Sequence, residues 1–273
     1  MRVNGFVTLA FDRLGSGPPL LLLHAFGLSR AAWNPLVPLL APERDLLLVD
    51  LPGHGNSPLP EAGTPPSPEG YAREVGRFLD ELGIETVDVC GNSIGGWTAL
   101  ELAKLGRARS VVALSPAGLW RRESRYRRMR FLIDHYTTRL APWAMRRALR
   151  TEPGRRLILG EVLDRPDRLS DAEALRFVTD FSAVKNLPAH LRAWRGKRFE
   201  GGEGIEVPVA IAWGERDRLM PPERRSRAGL PAHAHWFEIP DCGHVMAWDA
   251  PSLVAGTVLW ELAASESPEP VGR

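Results

Sequence analysis

Several short runs rich in leucine or β-branched residues punctuate the chain: Pro19 to His24, Asp45 to Asp50, Thr86 to Gly91, Ser110 to Ser115, Val207 to Gly214 and His235 to Pro240. Most are apolar throughout instead of alternating, which suits strands buried on both faces of a parallel sheet. Helical patterns lie between them. Ser67-Pro68-Glu69 reads as an N-cap, a first-turn proline and a first-turn acid, and Gly83 closes that helix. Tyr71, Val75, Phe78, Leu79 and Leu82 supply its apolar face at spacings of three and four. A second helix is predicted over Ile94 to Leu105. A third runs from Pro251 to Ala264, with Leu253, Val254, Val258, Leu259 and Leu262 on one side. Strand–helix alternation of this kind predicts a three-layer α/β fold.

The alternation stops between Ala117 and Glu200, an arginine-rich stretch with helical patterns and no clear strand. It reads as a set of helices inserted between two strands, a cap. Glu200-Gly201-Gly202-Glu203-Gly204 reads as a flexible return to the sheet, and the polar tail from Ser265 to Arg273 is expected to fray.

Composition narrows the classes. Of 273 residues, 44% are hydrophobic and 25% charged, the balance of a folded globular chain and not of a disordered one. No apolar run approaches the roughly 18 residues of a membrane span. Met1 to Gly5 is not followed by an apolar stretch and a cleavage site, so no signal peptide is expected and a reducing cytoplasm is the expected location. Two cysteines, Cys90 and Cys242, cannot build a disulfide framework or a four-cysteine zinc site. Neither a nucleotide-binding glycine motif after a strand nor a His-Glu-x-x-His metal motif occurs, so no cofactor and no metal are expected.

Candidate chemistry centres on Gly91-Asn92-Ser93-Ile94-Gly95, placed where one predicted strand ends and a helix begins. A sharp strand-to-helix turn forces the serine backbone into strain and pushes its hydroxyl out at the top of the sheet. The helix start behind it offers free backbone N–H groups to a developing negative charge. A serine hydroxyl becomes a nucleophile only when a histidine takes its proton and a carboxylate orients that histidine. Asp217 lies just beyond the run ending at Gly214, and His244 just beyond the run ending at Pro240. Glu215 is the fallback acid, although on a tight turn it points elsewhere. His24 and His54 read as structural residues that hold loops by hydrogen bonds, and His135, His190, His233 and His235 give no signal beyond solvated or packed positions.

Ser93, Asp217 and His244, in that order and each at a strand's carboxyl end, make the chain resemble the α/β-hydrolase family. The resemblance implies a core over residues 1–116 and 201–273 and a helical cap over 117–200. His24-Ala25-Phe26-Gly27 is similar to the family's His-Gly-x-Gly loop, which implies an oxyanion hole from the backbone N–H groups of Phe26 and Ile94. Ala25 stands where the family usually has glycine. Asp50 to Ser57 resembles the loop that shapes the family's site without doing chemistry. By the family's strand order, Cys90 and Cys242 are separated by two strands and cannot bond.

The implied activity is hydrolysis of an ester or related acyl bond through an acyl-serine. The family's dehalogenases and epoxide hydrolases carry aspartate at the nucleophile position, and Ser93 argues against both. One alternative is a carbon–carbon bond hydrolase acting on a vinylogous diketone. Such enzymes share the Asn-Ser step and a tryptophan four residues past the histidine, as Asn92 and Trp248 do here. Another is a binding protein without catalysis on the same fold.

Charge adds a last expectation. The net +2 divides into +10 over 117–200, where 20 Lys and Arg face 10 Asp and Glu, and −8 elsewhere. Arg121, Arg122, Arg125, Arg127, Arg128 and Arg130 form the densest cluster. One reading is a solvated helix surface. The other is a field that draws an anionic small-molecule substrate, or an acidic carrier of one, toward Ser93. Nucleic acid is not expected, because no stacking aromatics interleave the basic residues in a recognisable motif. Nothing in the sequence fixes an oligomeric state.

Overall fold

The structure is a computed structural model describing residues 2–3, 6–7, 9–121 and 125–266, with side chains described over 9–121 and 132–264. Arg2–Val3 (β1) and Phe6–Val7 (β2) form a short antiparallel pair. Seven further strands make one sheet: β3 (Phe11–Gly15), β4 (Pro19–Leu23), β5 (Asp45–Val49), β6 (Val87–Asn92), β7 (Ala108–Leu114), β8 (Val209–Gly214) and β9 (His235–Ile239). Their order is β3-β5-β4-β6-β7-β8-β9, and every pair is parallel except β3 with β5.

The apolar runs are continuous because the sheet is covered on both faces. Leu21, Leu23, Leu47, Val49 and Val89 enter one core cluster, while Leu20, Leu22, Leu46, Leu48 and Cys90 enter the other. On the first face pack α2 (Pro68–Glu81) and α3 (Ile94–Lys104); on the second lie α1 (Val37–Leu40) and α10 (Pro251–Glu266). Ser67 caps α2 by accepting the Gly70 N–H at 3.3 Å, as its sequence predicts. In α10, Val254, Val258 and Leu262 are buried, but Leu253 is exposed, which corrects its expected place on the packed side. The strand β3 is not predicted by the sequence. It sits at the sheet edge with four of its five residues exposed, so it carries no apolar run.

Between β7 and β8 the chain runs through α4 (Arg125–Leu140), α5 (Pro142–Leu149), α6 (Glu152–Leu159), α7 (Asp171–Ala183) and α8 (Leu187–Ala193), with no strand among the described residues of that segment. These helices build their own apolar cluster around Leu149, Leu159, Leu163, Phe177 and Val178, which is closed below by Ala25, Leu28 and Val245. A short α9 (Met246–Asp249) precedes α10. Among the described residues no helix is long and apolar enough to cross a membrane.

Candidate active site

The parallel register lines up the carboxyl ends of β4, β6, β7, β8 and β9, and the loops leaving them carry the candidate groups. Ser93 follows β6 directly with φ 56° and ψ −114°, a strained conformation for a residue with a side chain. The neighbouring turns allow only glycine on either side. A Cβ on Gly91 would lie 2.3 Å from the Gly95 carbonyl oxygen, and one on Gly95 would lie 2.1 Å from that of Leu23. The bend is pinned by the Ser93 N–H, which donates to Leu114 O at 2.9 Å. The Ser93 carbonyl in turn accepts from Ala117 at 2.8 Å.

His244 and Asp217 are joined by a 2.8 Å bond between Nδ1 and Oδ2, and both are buried. Asp217 Oδ1 accepts the N–H groups of Leu219 at 2.9 Å and Met220 at 2.8 Å. Burial works to raise the Asp217 carboxyl. The charge and hydrogen bond of His244, the Met220 N–H and the Ser115 hydroxyl outweigh it, and the carboxyl stays below its ordinary value. It is therefore ionised at neutral pH and fixes the Nδ1–H tautomer of His244. Nε2 of His244 is buried and has no hydrogen-bond partner among the described residues. Ser93 and His244 line the same cavity. Glu215 is exposed and accepts the Asp241 N–H at 3.2 Å, away from His244.

The loop after β4 turns tightly. Leu28 N–H donates to Ala25 O at 3.1 Å and Gly27 has φ 80°, so Phe26 sits at the head of the turn and lines the cavity. Ala25 is not among the residues with positive φ, so alanine fits the position where glycine is usual in the resembled loop. Ile94 opens α3, where backbone N–H groups have no intrahelical partner. Beneath Phe26 lie His54, His190 and Trp194, with ring centroids 4.9, 5.8 and 5.0 Å from it. His24 Nε2 accepts the Leu51 N–H at 2.9 Å and its Nδ1–H donates to Ala25 O at 2.8 Å. Burial lowers all three imidazoles, His190 to about 4, so they support the loop as neutral rings.

Asn92 and Trp248 turn out to be occupied structurally. Asn92 Nδ2 donates to the carbonyls of Leu114 and His244, each at 2.9 Å, and so ties the histidine loop to the end of β7. Trp248 Nε1–H donates to Ala32 O at 2.8 Å, and its ring packs on Phe177 outside the Ser93 cavity. Both cysteines are free and buried; burial pushes the Cys90 thiol up and the Cys242 thiol to about 12, so neither is a nucleophile at neutral pH.

The cavity measures about 220 Å³. Apolar side chains dominate it: Leu28, Met145, Leu159, Val162, Phe177 and Phe181, with Asp134, Thr138 and Glu161 among its polar groups and no Lys or Arg among the described residues that line it. Arg121 donates to Arg225 O, while Arg122, Arg125, Arg127, Arg128 and Arg130 have side chains outside the described residues.

Sequence reasoning missed a brace. Asp249 Oδ2 accepts the Gly243 N–H at 2.8 Å, and Oδ1 accepts the Arg165 N–H at 2.9 Å. Val245 N–H donates to Val162 O at 2.9 Å. On the acid loop, Arg216 pairs with Asp164 at 2.9 Å, and Arg218 donates to Gly160 O at 2.6 Å. The segment from Gly160 to Arg165 thus grips the loops on both sides of the Asp217–His244 pair. The available signal was slight: an acid just before Pro251 reads as an ordinary helix start.

A strained serine on a glycine-flanked elbow, an Asp–His pair at the next loops and a parallel sheet with one antiparallel edge agree with what comparison finds. The profile of the alpha/beta hydrolase family matches residues 20–257. "Epoxide hydrolase EphH" of Mycobacterium tuberculosis is 34% identical over 193 residues, covering 67% of this chain and 89% of that protein. The enol-lactonase from Burkholderia xenovorans LB400 superposes with a TM-score of 0.72 at 22% identity, over 93% of this chain and 96% of that one. A thermophilic esterase from Thermogutta terrifontis does so with 0.69 at 21% identity, over 95% and 94%. At those identities the two structures speak for the fold alone, but the profile spans most of the chain, and the chain belongs to the alpha/beta hydrolase family.

Proposed function

We propose that this hydrolase cleaves a carboxylic ester with an apolar acyl group through a covalent acyl-serine, with Ser93, His244 and Asp217 as its triad and residues 117–200 as its cap. The observation that carries the reading is the buried His244 Nε2. It has no hydrogen-bond partner among the described residues, its ring lines the same cavity as the strained Ser93, and it is backed at Nδ1 by an ionised carboxylate. Ser93 Oγ attacks the acyl carbon while Nε2 takes its proton. The resulting imidazolium is held by Asp217, and the N–H groups of Phe26 and Ile94 stabilise the oxyanion. The imidazolium returns the proton to the departing alcohol. Water then attacks the acyl-serine by the same steps and frees the acid. None of these steps calls for a cofactor. The anionic substrate expected from the charge of 117–200 does not extend to the acyl group, because Asp134 and Glu161 line the cavity and would repel a carboxylate.

The relative named an epoxide hydrolase raises a second reading. Attack of a carboxylate on an epoxide gives an ester that water can release. Attack of a serine oxygen gives an alkyl ether, which a histidine-activated water does not cleave. Ser93 at the elbow therefore favours acyl transfer. The carbon–carbon alternative loses support because Trp248 spends its N–H on Ala32 O and lies outside the cavity.

The test is a stopped-flow assay with p-nitrophenyl butyrate, followed by acid quench and mass spectrometry of the peptide that holds Ser93. A γ-lactone, a diketone dienoate and styrene oxide are run alongside. A burst of p-nitrophenol, a mass gain of one butyryl group on Ser93 and no diol from styrene oxide are expected. A Ser93→Ala variant that keeps more than a few percent of activity, or a dienoate cleaved far faster than any ester, would overturn the assignment.

A further inference from the structure

We propose that the outer faces of α4, α5 and α6 dock the protein onto an anionic phospholipid surface, with the mouth of the Ser93 cavity inside the contact. On α4, Asp134 and Thr138 line the cavity, while Ile133, Tyr136 and Leu140, at helical spacing, face solvent. On α5, Met145 lines the cavity and Trp143 lies 73% exposed. On α6, Leu157 is 79% exposed and yet also lines the cavity, so it stands at the mouth. Three helices that wall one opening therefore turn large apolar side chains, including a tryptophan and a tyrosine, toward water. Soluble surfaces rarely gather such residues without a partner.

The charge around this patch identifies the partner. Arg139, Arg146, Arg147 and Arg150 are exposed and pair with no carboxylate among the described residues, whereas Arg155, Arg156 and Arg165 further along are each paired. Trp143, Arg146 and Arg147 share one exposed face of α5, which Arg150 at its C-cap extends. Arginine beside tryptophan and leucine on a short amphipathic face is the pattern of a helix lying in a lipid headgroup layer, where the guanidinium meets phosphate and the apolar tips enter the acyl boundary. A second copy of the chain fits poorly. A two-fold contact would bring these arginines against their own counterparts. An acidic protein would satisfy the arginines but does not call for the exposed Leu140, Trp143 and Leu157. The docking does not depend on the acyl-serine chemistry.

The experiment is co-sedimentation with sucrose-loaded vesicles, made either of equal parts phosphatidylglycerol and phosphatidylcholine or of phosphatidylcholine alone, at 0.1 and 0.5 M NaCl. Wild type is expected to sediment with the anionic vesicles at low salt, and much less at high salt or without phosphatidylglycerol. An arginine near an anionic leaflet is worth a factor of about five, so Arg146→Glu with Arg147→Glu should weaken binding at least about 25-fold. Leu140→Ser with Trp143→Ser should weaken it by more than about tenfold, from the lost apolar burial. None of these four residues lines the cavity, so hydrolysis of a soluble short-chain ester should stay within about twofold. Failure of wild type to sediment with anionic vesicles at low salt, or equal sedimentation of the variants, overturns the proposal. So does a dimer on gel filtration that Leu140→Ser with Trp143→Ser dissolves. Retention of wild type on immobilised polyglutamate, lost on Arg146→Glu with Arg147→Glu and without vesicle binding, assigns the patch to an acidic protein instead and overturns it equally.

Discussion

Asp217→Asn tests the reading of the site most sharply, because the surrounding backbone decides which way the amide points. Oδ1 of Asp217 accepts two N–H groups, from Leu219 and Met220, and Oδ2 faces His244 Nδ1 at 2.8 Å. In the asparagine variant the amide oxygen must stay with the two backbone donors. Its NH2 then falls opposite Nδ1. Two donors cannot share that contact, so His244 presents its lone pair at Nδ1 and carries its proton on Nε2. Nε2 then becomes a donor and can no longer act as the base for Ser93. A triad locked in the wrong tautomer loses about 10⁴ in kcat, or about 5.5 kcal/mol of barrier. Asp217→Ala differs in kind: it orphans the Leu219 and Met220 N–H groups and so costs more stability, about 1–3 kcal/mol for each. It leaves His244 free to take the productive tautomer with water at Nδ1. Burst and steady-state kinetics on p-nitrophenyl butyrate at pH 8, with urea unfolding of each variant, separate the two effects. Asparagine should be the more stable and the less active of the pair. If Asp217→Asn retains kcat within a hundredfold of wild type, or exceeds Asp217→Ala, the carboxylate does not set the tautomer of His244.

Three further outcomes follow from the same geometry. Asn92→Leu removes the bonds that hold the Leu114 and His244 carbonyls, and a shifted histidine loop should lower kcat about 10–100-fold with KM nearly unchanged, measured on the same ester. Gly27→Ala places a side chain at φ 80° with its Cβ 2.2 Å from the Phe181 ring. Urea unfolding should report a loss of about 1–3 kcal/mol. The Asp249 carboxyl lies above its ordinary value because burial outweighs the N–H groups of Arg165, Asp164 and Gly243. A raised folded-state pKa means stability is gained as pH falls through that value toward the unfolded one, near 4. Asp249→Asn cannot titrate, so the melting-temperature advantage of wild type over the variant should widen between pH 7 and pH 4. The opposite contribution of Asp217, whose lowered carboxyl loses stability in acid, is common to both proteins and cancels. A constant or narrowing gap would refute the assignment for Asp249.

Strands buried on both faces were legible because every residue from Leu20 to Leu23 is buried, so the run shows as unbroken apolarity. The elbow was legible because its glycines are dictated by contacts within a few residues and at one neighbouring strand end. Asp217 and His244 were legible through their places after β8 and β9, and the structure pairs them. Where burial does not follow a run, the pattern fails. The edge strand β3 has a single half-buried residue, Phe11, and Leu253 repeats with helical spacing yet faces solvent. Spacing also misleads about role: Asn92 and Trp248 sit where a diketone hydrolase has them, but what they do here is set by carbonyls of Leu114, His244 and Ala32 that no local pattern reveals. The Asp249 contacts join residues 84 and 85 positions apart, and nothing local in the sequence marks a carboxylate that will meet such distant N–H groups.

That brace joins the wall of the Ser93 cavity to the loops that carry Asp217 and His244. The loops after β8 and β9 extend beyond the last hydrogen bonds of the sheet, and ordering them costs conformational entropy. The sheet side supplies part of the restraint through Asn92 and Ser115. The loops also bond to each other, as in Arg216 N–H to Cys242 O at 2.9 Å, and further restraint comes from above: the residues after α6 offer Val162 O to Val245, the Arg165 N–H to Asp249, and Asp164 to Arg216 and Arg218, which flank Asp217. The same stretch supplies Leu159, Glu161 and Val162 to the cavity wall. One short segment therefore both lines the Ser93 cavity and bonds to the two loops that carry Asp217 and His244. A helix arrangement that reshapes the wall by shifting this segment also moves the histidine. Under the proposed acyl-serine chemistry, a change at Gly160 to Arg165 is therefore expected to alter substrate range and turnover together, whereas Leu140, Trp143, Arg146 and Arg147 on α4 and α5 do not line the cavity.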